Sequence, residues 1–161
     1  MVSPQNGMMP WRDFEGRGFC RRGRSGLVSG GEVMAKILVI DDDLGIRHLL
    51  DTFLRHKGYE VLLAENGQKG LDLFRQDHPD VIVLDLKMPD MDGATVLHHI
   101  RSLKCHQPVI IFSGAYTQKT EQQILTLGIT ELVKKGGSLA DVEEAVKRAL
   151  MSPGSGKQVE G

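Results

Sequence analysis

The 161 residues carry a formal net charge of −1, with 40% hydrophobic and 25% charged side chains, a composition that suits one globular domain of about 120 residues plus tails. That balance argues against a dedicated nucleic-acid binder, and no apolar run approaches the roughly 20 residues needed to span a membrane. Cys20 and Cys105 are too few for a disulfide framework, so a reducing cytoplasm is the expected setting.

Residues 1–33 are rich in Gly, Arg and Ser, with five arginines against Asp13, Glu15 and Glu32. They show no apolar period and lack the apolar stretch of a signal peptide. A basic arm touching nucleic acid or lipid is one reading, and disorder is the favoured one. Met34-Ala35-Lys36 resembles a natural start directly before the first strand. Residues 1–33 are therefore expected to be a disordered leader or a misassigned start, residues 34–151 the folded domain, and residues 152–161 a flexible tail after a helix stop.

Within the folded part, apolar strands and amphipathic helices alternate. Lys36 to Ile40 predicts a strand ending in Asp41-Asp42-Asp43. Ile46, Leu49, Leu50, Phe53 and Leu54 then recur at helical spacing, with Gly58 as the residue past the helix end. Val61 to Ala64 predicts a second strand, and Asn66 caps a helix carrying Leu71, Leu73 and Phe74. Val81 to Leu84 reads as a strand buried on both faces, with Asp85 where it emerges. A helix follows from about Ala94 to Leu103, with Asp92 as its cap. Strand Val109 to Phe112 precedes a helix that holds Ile124 and Leu127 and ends at Gly128. A last strand, about Ile129 to Val133, leads to a helix capped by Ser138, with Leu139, Val142, Ala145, Val146 and Ala149 as its buried stripe. The six histidines, His48, His56, His78, His98, His99 and His106, show no metal-ligand spacing and read as surface residues.

The pattern is (βα)5, an α/β doubly wound parallel sheet. Right-handed crossovers favour the flavodoxin-like strand order 2-1-3-4-5. In that order Asp41, Asp42, Asp85, Ser113 and the Lys134-Lys135 pair gather at the carboxyl ends of the strands, where open α/β sheets bind ligands. Two like charges at 4 Å repel by about 4 kcal/mol at an effective dielectric near 20, so three carboxylates there raise a pKa or recruit a cation. An all-oxygen donor set suits Mg²⁺. Lysine and serine then supply a point charge and a hydrogen bond for phosphoryl oxygens. The constellation reads as phosphoryl transfer with Asp85 as nucleophile.

At these residues the chain resembles a response-regulator receiver domain of the CheY-like family of two-component signalling, from about Lys36 to Met151. The resemblance rests on Asp41-Asp42, on Asp85 followed by Met88-Pro89 and Asp92-Gly93, on Ser113-Gly114 and on Lys135. It implies that Asp85 accepts a phosphoryl group from a phosphohistidine on a sensor kinase or phosphotransfer protein. It also implies Mg²⁺ ligated by Asp42, Asp85 and the backbone carbonyl of Lys87, with Asp41 acting through water. Ser113 would follow the phosphoryl group on activation and the lysine would pair with it. Counting from Gly128 and Ser138 favours Lys135 for that role. Lys134, as the last strand residue, would point to the opposite face. Signalling would leave by protein contact, by analogy through the face of helix 4, strand 5 and helix 5, including Thr117 to Leu127 and Leu132. No nucleic-acid domain or membrane contact is implied, and a monomer or weak homodimer is expected.

Three departures stand out. The family lysine is typically followed by a cis proline, whereas Gly136-Gly137 follow here, so a trans bond in a looser loop and a less fixed lysine are expected. Leu132 stands where Tyr or Phe often serves as a switch. Lys87 puts a cationic side chain beside the acceptor, a candidate to shield or steer the phosphoryl group. Two other readings use the same residues: a degenerate receiver that binds partners without phosphorylation, and a Mg²⁺-dependent phosphohydrolase.

Overall fold

The computed structural model describes residues 34–114, 116–129 and 131–151. The expectations for residues 1–33 and 152–161 lie outside the described residues. Ten elements alternate along the chain. The strands are β1 (Lys36–Ile40), β2 (Glu60–Ala64), β3 (Val81–Leu84), β4 (Val109–Ser113) and β5 (Glu131–Lys134). The helices are α1 (Leu44–His56), α2 (Gly67–Asp77), α3 (Gly93–Ser102), α4 (Gln118–Thr126) and α5 (Leu139–Met151).

All strand pairs are parallel, in the order β2-β1-β3-β4-β5. Because side chains alternate across a strand, the sheet divides its apolar residues between two layers. Ile37, Val39, Val81, Val83, Ile110, Phe112 and Val133 pack against α1 and α5 through Leu50, Leu54, Val142 and Val146. Leu38, Ile40, Ile82, Leu84, Val109 and Ile111 pack against α2, α3 and α4 through Leu71, Phe74, Leu97 and Ile124. The central strands β1, β3 and β4 are covered on both faces, which is why their sequences are continuous apolar runs.

Local capping sets where the helices begin. Asp43 accepts from the amides of Gly45 and Ile46, Asn66 from Lys69, Asp92 from Thr95, and Thr117 from Thr120. Ser138 accepts from the amide of Ala140 at the start of α5. Each satisfies a donor that the first helical turn leaves without an intrahelical partner.

Several details differ from the sequence reading. Leu49 is 48% exposed and lies off the buried stripe of α1, which consists of Leu50 and Leu54. Its apolar character matched the period, but among the described residues that side of the helix stays exposed. Leu139 and Leu73 are only partly buried. Strand β5 starts at Glu131, so Ile129 precedes it, although Ile129 is still buried against the α2–α4 layer. His99 is half-buried, and burial followed by the neighbouring His98 lowers its pKa.

Candidate phosphoacceptor site

The sheet ladder delivers the acidic residues to one place. The Asp41 amide donates to the Ala64 carbonyl at 3.1 Å and the Asp85 amide to that of Ile40 at 2.9 Å, so both residues extend the ladder just past the strand ends. Asp41 lies two positions beyond Val39, and Asp85 two beyond Val83. Alternation therefore directs both carboxylates to the α1–α5 side of the sheet. Lys135 is two beyond Val133 and follows the same parity. Lys134, paired with Ser113, ends β5 and is exposed.

Lys135 Nζ lies 2.7 Å from Asp41 Oδ2 and 3.3 Å from Asp85 Oδ2. The other Asp41 oxygen, Oδ1, accepts the Asp43 amide at 2.9 Å. The Lys87 amide donates to the Asp85 carboxylate. Asp41 and Asp85 are buried and Asp42 is exposed, yet each offers an oxygen within 4.8 Å of the other two. Ser113 is buried at the end of β4, and its carbonyl accepts the Lys135 amide at 3.0 Å.

The electrostatics follow from burial. Desolvation, then the charge of Asp41, raises the Asp85 pKa from 3.8 to about 6, against the opposing pull of Lys135 and the Lys87 amide. Burial works against the Lys135 ammonium, but its hydrogen bond to Asp41 and the charges of Asp41 and Asp85 prevail and raise its pKa. One ammonium facing three carboxylates leaves two negative charges in the pocket. A divalent cation is the matching counter-charge. Three carboxylate oxygens within 4.8 Å of one another form the all-oxygen donor set that suits Mg²⁺.

The loop after Asp85 depends on one close approach. Gly93 opens α3, and its amide donates to the Leu86 carbonyl at 2.9 Å. A Cβ on Gly93 would lie 2.2 Å from the Asp85 carbonyl oxygen, which no side chain tolerates. The exposed Lys87, with Leu86, Met88, Pro89, Tyr116 and Thr117, lines a groove of about 460 Å³ beside the site.

Asp41, Asp42 and Asp85 thus form one cluster and Lys135 bridges Asp41 and Asp85, while backbone groups of Ser113 and Lys87 join them. The expectation of a loosely held lysine is corrected. Among the described residues no peptide bond is cis, and Gly136 takes φ +94°, yet the Lys135 side chain is tied to two carboxylates. Sequence reasoning missed Arg47, whose guanidinium donates to the Asp41 carbonyl at 2.8 Å. It also missed Phe112, whose ring centroid is 5.9 Å from Lys135 Nζ. Nothing in the sequence marks Arg47. The parity shared by Phe112, Val133 and Lys135 could have exposed the ring.

A family model described as the response regulator receiver domain matches residues 37–147. Among curated proteins, sporulation initiation phosphotransferase F of Bacillus subtilis is 33% identical over 115 residues, covering 71% of this chain and 93% of that protein. Regulatory protein AtoC of Escherichia coli is 34% identical over 124 residues, covering 77% of this chain but 27% of AtoC. The chain thus spans about a quarter of AtoC and, at 48%, about half of the probable transcriptional regulator ycf27 of Porphyridium aerugineum. Among solved structures, a receiver domain protein from Clostridium thermocellum matches with a TM-score of 0.69 and 32% identity, covering 73% of this chain and 95% of that one. Chemotaxis protein CheY4 of Vibrio cholerae matches with a TM-score of 0.68 and 27% identity, covering 73% and 99%. Receiver domains generally bind Mg²⁺ through acidic residues, and response regulators interact with histidine kinases or phosphotransfer proteins and with effectors. With its 2-1-3-4-5 sheet, its acidic cluster and these relatives, the chain belongs to the response regulator receiver domain family of two-component systems.

Proposed function

We propose that Asp85 is the phosphoacceptor of this receiver domain. The observation that carries the reading is the buried Asp85 carboxylate, which shares one ammonium with Asp41 at the carboxyl end of the sheet. An Asp85 oxygen attacks the phosphorus of a phosphohistidine on a sensor kinase or phosphotransfer protein. The P–O bond forms as the P–N bond breaks, and the ring nitrogen keeps the bonding pair. Asp42, Asp85 and the Lys87 carbonyl would hold Mg²⁺, with Asp41 acting through water, and the bound ion would supply charge neutralisation for the approaching phosphoryl oxygens. Lys135 pairs with the incoming phosphoryl oxygens, and the Ser113 hydroxyl donates to one of them.

The domain does not turn over a separate substrate; it takes part only in its own phosphorylation and dephosphorylation. The signal passes to an effector protein through the face of α4, β5 and α5, where Leu125 is an exposed apolar residue. The cytoplasm is the compartment that suits this exchange. Among the described residues no helix is long and apolar enough to cross a membrane. The phosphorylation-independent reading draws on the Gly136-Gly137 loop, but the engagement of Lys135 with both carboxylates favours the phosphoacceptor. Acetyl phosphate with Mg²⁺ should add the mass of one phosphoryl group to the native chain and none to Asp85→Asn. A native chain that gains no mass would reject the proposal.

A further inference from the structure

Lys135 touches one partner outside the acidic cluster. Its ammonium lies 5.9 Å from the centroid of the Phe112 ring, within the range at which an aromatic face attracts a cation. Phe112 is only 6% exposed and is packed in the layer with Ile110, Val83 and Val133. It pairs with Val133 across β4 and β5, one strand position before Ser113 pairs with Lys134. The ring is therefore held by the core, while the ammonium it faces belongs to the site.

Beside the two ion pairs, neighbouring glycines leave the lysine stem little side-chain packing. Gly136 has φ +94°, and a Cβ added there would meet nothing within 4 Å. On the neighbouring strand end Gly114 has no side chain, although a Cβ there would lie 3.7 Å from Lys135 Cβ and 3.9 Å from its Cδ. The stem is thus left without a side-chain wall at Gly114 and without a rigid residue after it. Asp41 and Asp85 attract the ammonium but are themselves the groups whose charge changes when a metal ion or phosphoryl group arrives. The Phe112 ring carries no formal charge for those events to change.

We propose that Phe112 is a positioning residue, whose ring face holds the Lys135 ammonium over the Asp85 carboxylate and so sets the lysine's reach to the phosphoryl group. The proposal rests on the reading of Asp85 as acceptor. A leucine at position 112 would keep the apolar burial but remove the negative face of the ring.

The test compares native protein, Phe112→Leu, Phe112→Tyr, Lys135→Ala and the Phe112→Leu/Lys135→Ala double variant. In NMR spectra of the unphosphorylated protein, the ε-methylene signal that Lys135→Ala removes should be ring-shifted in the native protein. It should stay shifted in Phe112→Tyr and return to the ordinary lysine position in Phe112→Leu. With acetyl phosphate and Mg²⁺, Phe112→Leu should be phosphorylated about two- to fivefold more slowly, with Phe112→Tyr near native. In the Lys135→Ala background Phe112→Leu should add no further loss. If Phe112→Leu fails to fold, Phe112→Met replaces it. A Lys135 signal unmoved by Phe112→Leu, or an equal slowing with and without Lys135, overturns the proposal. If the native protein takes no phosphoryl group, the acceptor reading falls, and the ring contact stands or falls on the NMR signal alone.

Discussion

Lys135 lies closer to Asp41 than to Asp85, 2.7 Å from one carboxylate oxygen against 3.3 Å from the other. The ammonium therefore stands where positive charge is most needed among Asp41, Asp42 and Asp85. Replacing Lys135 with methionine should tighten Mg²⁺ binding, by roughly three- to tenfold from the loss of one like charge at short range. Calorimetric titration of Mg²⁺ into both proteins checks this. The same variant should be phosphorylated more slowly by acetyl phosphate, whereas Lys134→Ala, at an exposed strand end, should behave as native. A normal Lys135 variant beside an impaired Lys134 variant would reverse the assignment.

Asp85 has a folded-state pKa of about 6, raised from 3.8 by burial and then by Asp41. Between those values the folded protein holds a proton that the unfolded chain releases. Stability therefore falls as pH rises through that window, and the full cost is present above it. Asp85→Asn should be more stable than native protein at pH 7 in EDTA, by about 1–3 kcal/mol. The difference should shrink toward pH 4. Urea unfolding of both proteins across pH 4–8 gives the curve, and saturating Mg²⁺ should narrow the gap because it stabilises only the native protein's full site.

Gly93→Ala tests the acceptor loop. The added Cβ would press on the Asp85 carbonyl oxygen from 2.2 Å, so the loop or the start of α3 must shift. A loss of about 2–4 kcal/mol in chemical unfolding is expected, together with slower phosphorylation. An alanine variant of native stability would show that the loop has more room than this.

Arg101, at the C-terminal end of α3, ties two loops together. Its guanidinium donates to the carbonyls of Cys105 and Gln107 at 2.9 and 3.0 Å and to that of Gly128 at 2.8 Å. Burial lowers its pKa to about 10, still well above neutrality. Arg101→Ala would leave three carbonyls without this donor and should cost about 2–4 kcal/mol. Faster hydrogen exchange in the α3–β4 and α4–β5 loops should accompany the loss.

Much of this was legible along the chain because the signals are local. The apolar runs of β1 and β3, the aspartates that follow them, and the caps Asp43, Asn66 and Asp92 each depend on a few adjacent residues. Strand alternation also separated Lys135 from Lys134 before any coordinates. Leu49 misled for the opposite reason: its spacing fitted the helix stripe, but burial depends on what packs against that side. The tightness of Lys135 was hidden too, because the absent proline is visible in sequence while two carboxylates and a ring from three other strands are not.

The sequence by itself determined the alternation of strands and helices and the identity of the acidic residues at the strand ends, since these follow from hydrophobic period and from functional groups beside it, while crossover handedness only favoured the strand order that the structure has. Only the tertiary structure decided the distances. It brought Lys135 onto Asp41 and Asp85 and set Phe112 beneath the ammonium. Those contacts join residues far apart in the chain, and they are set by parallel ladder register and by packing on both faces of the sheet, which no local pattern encodes.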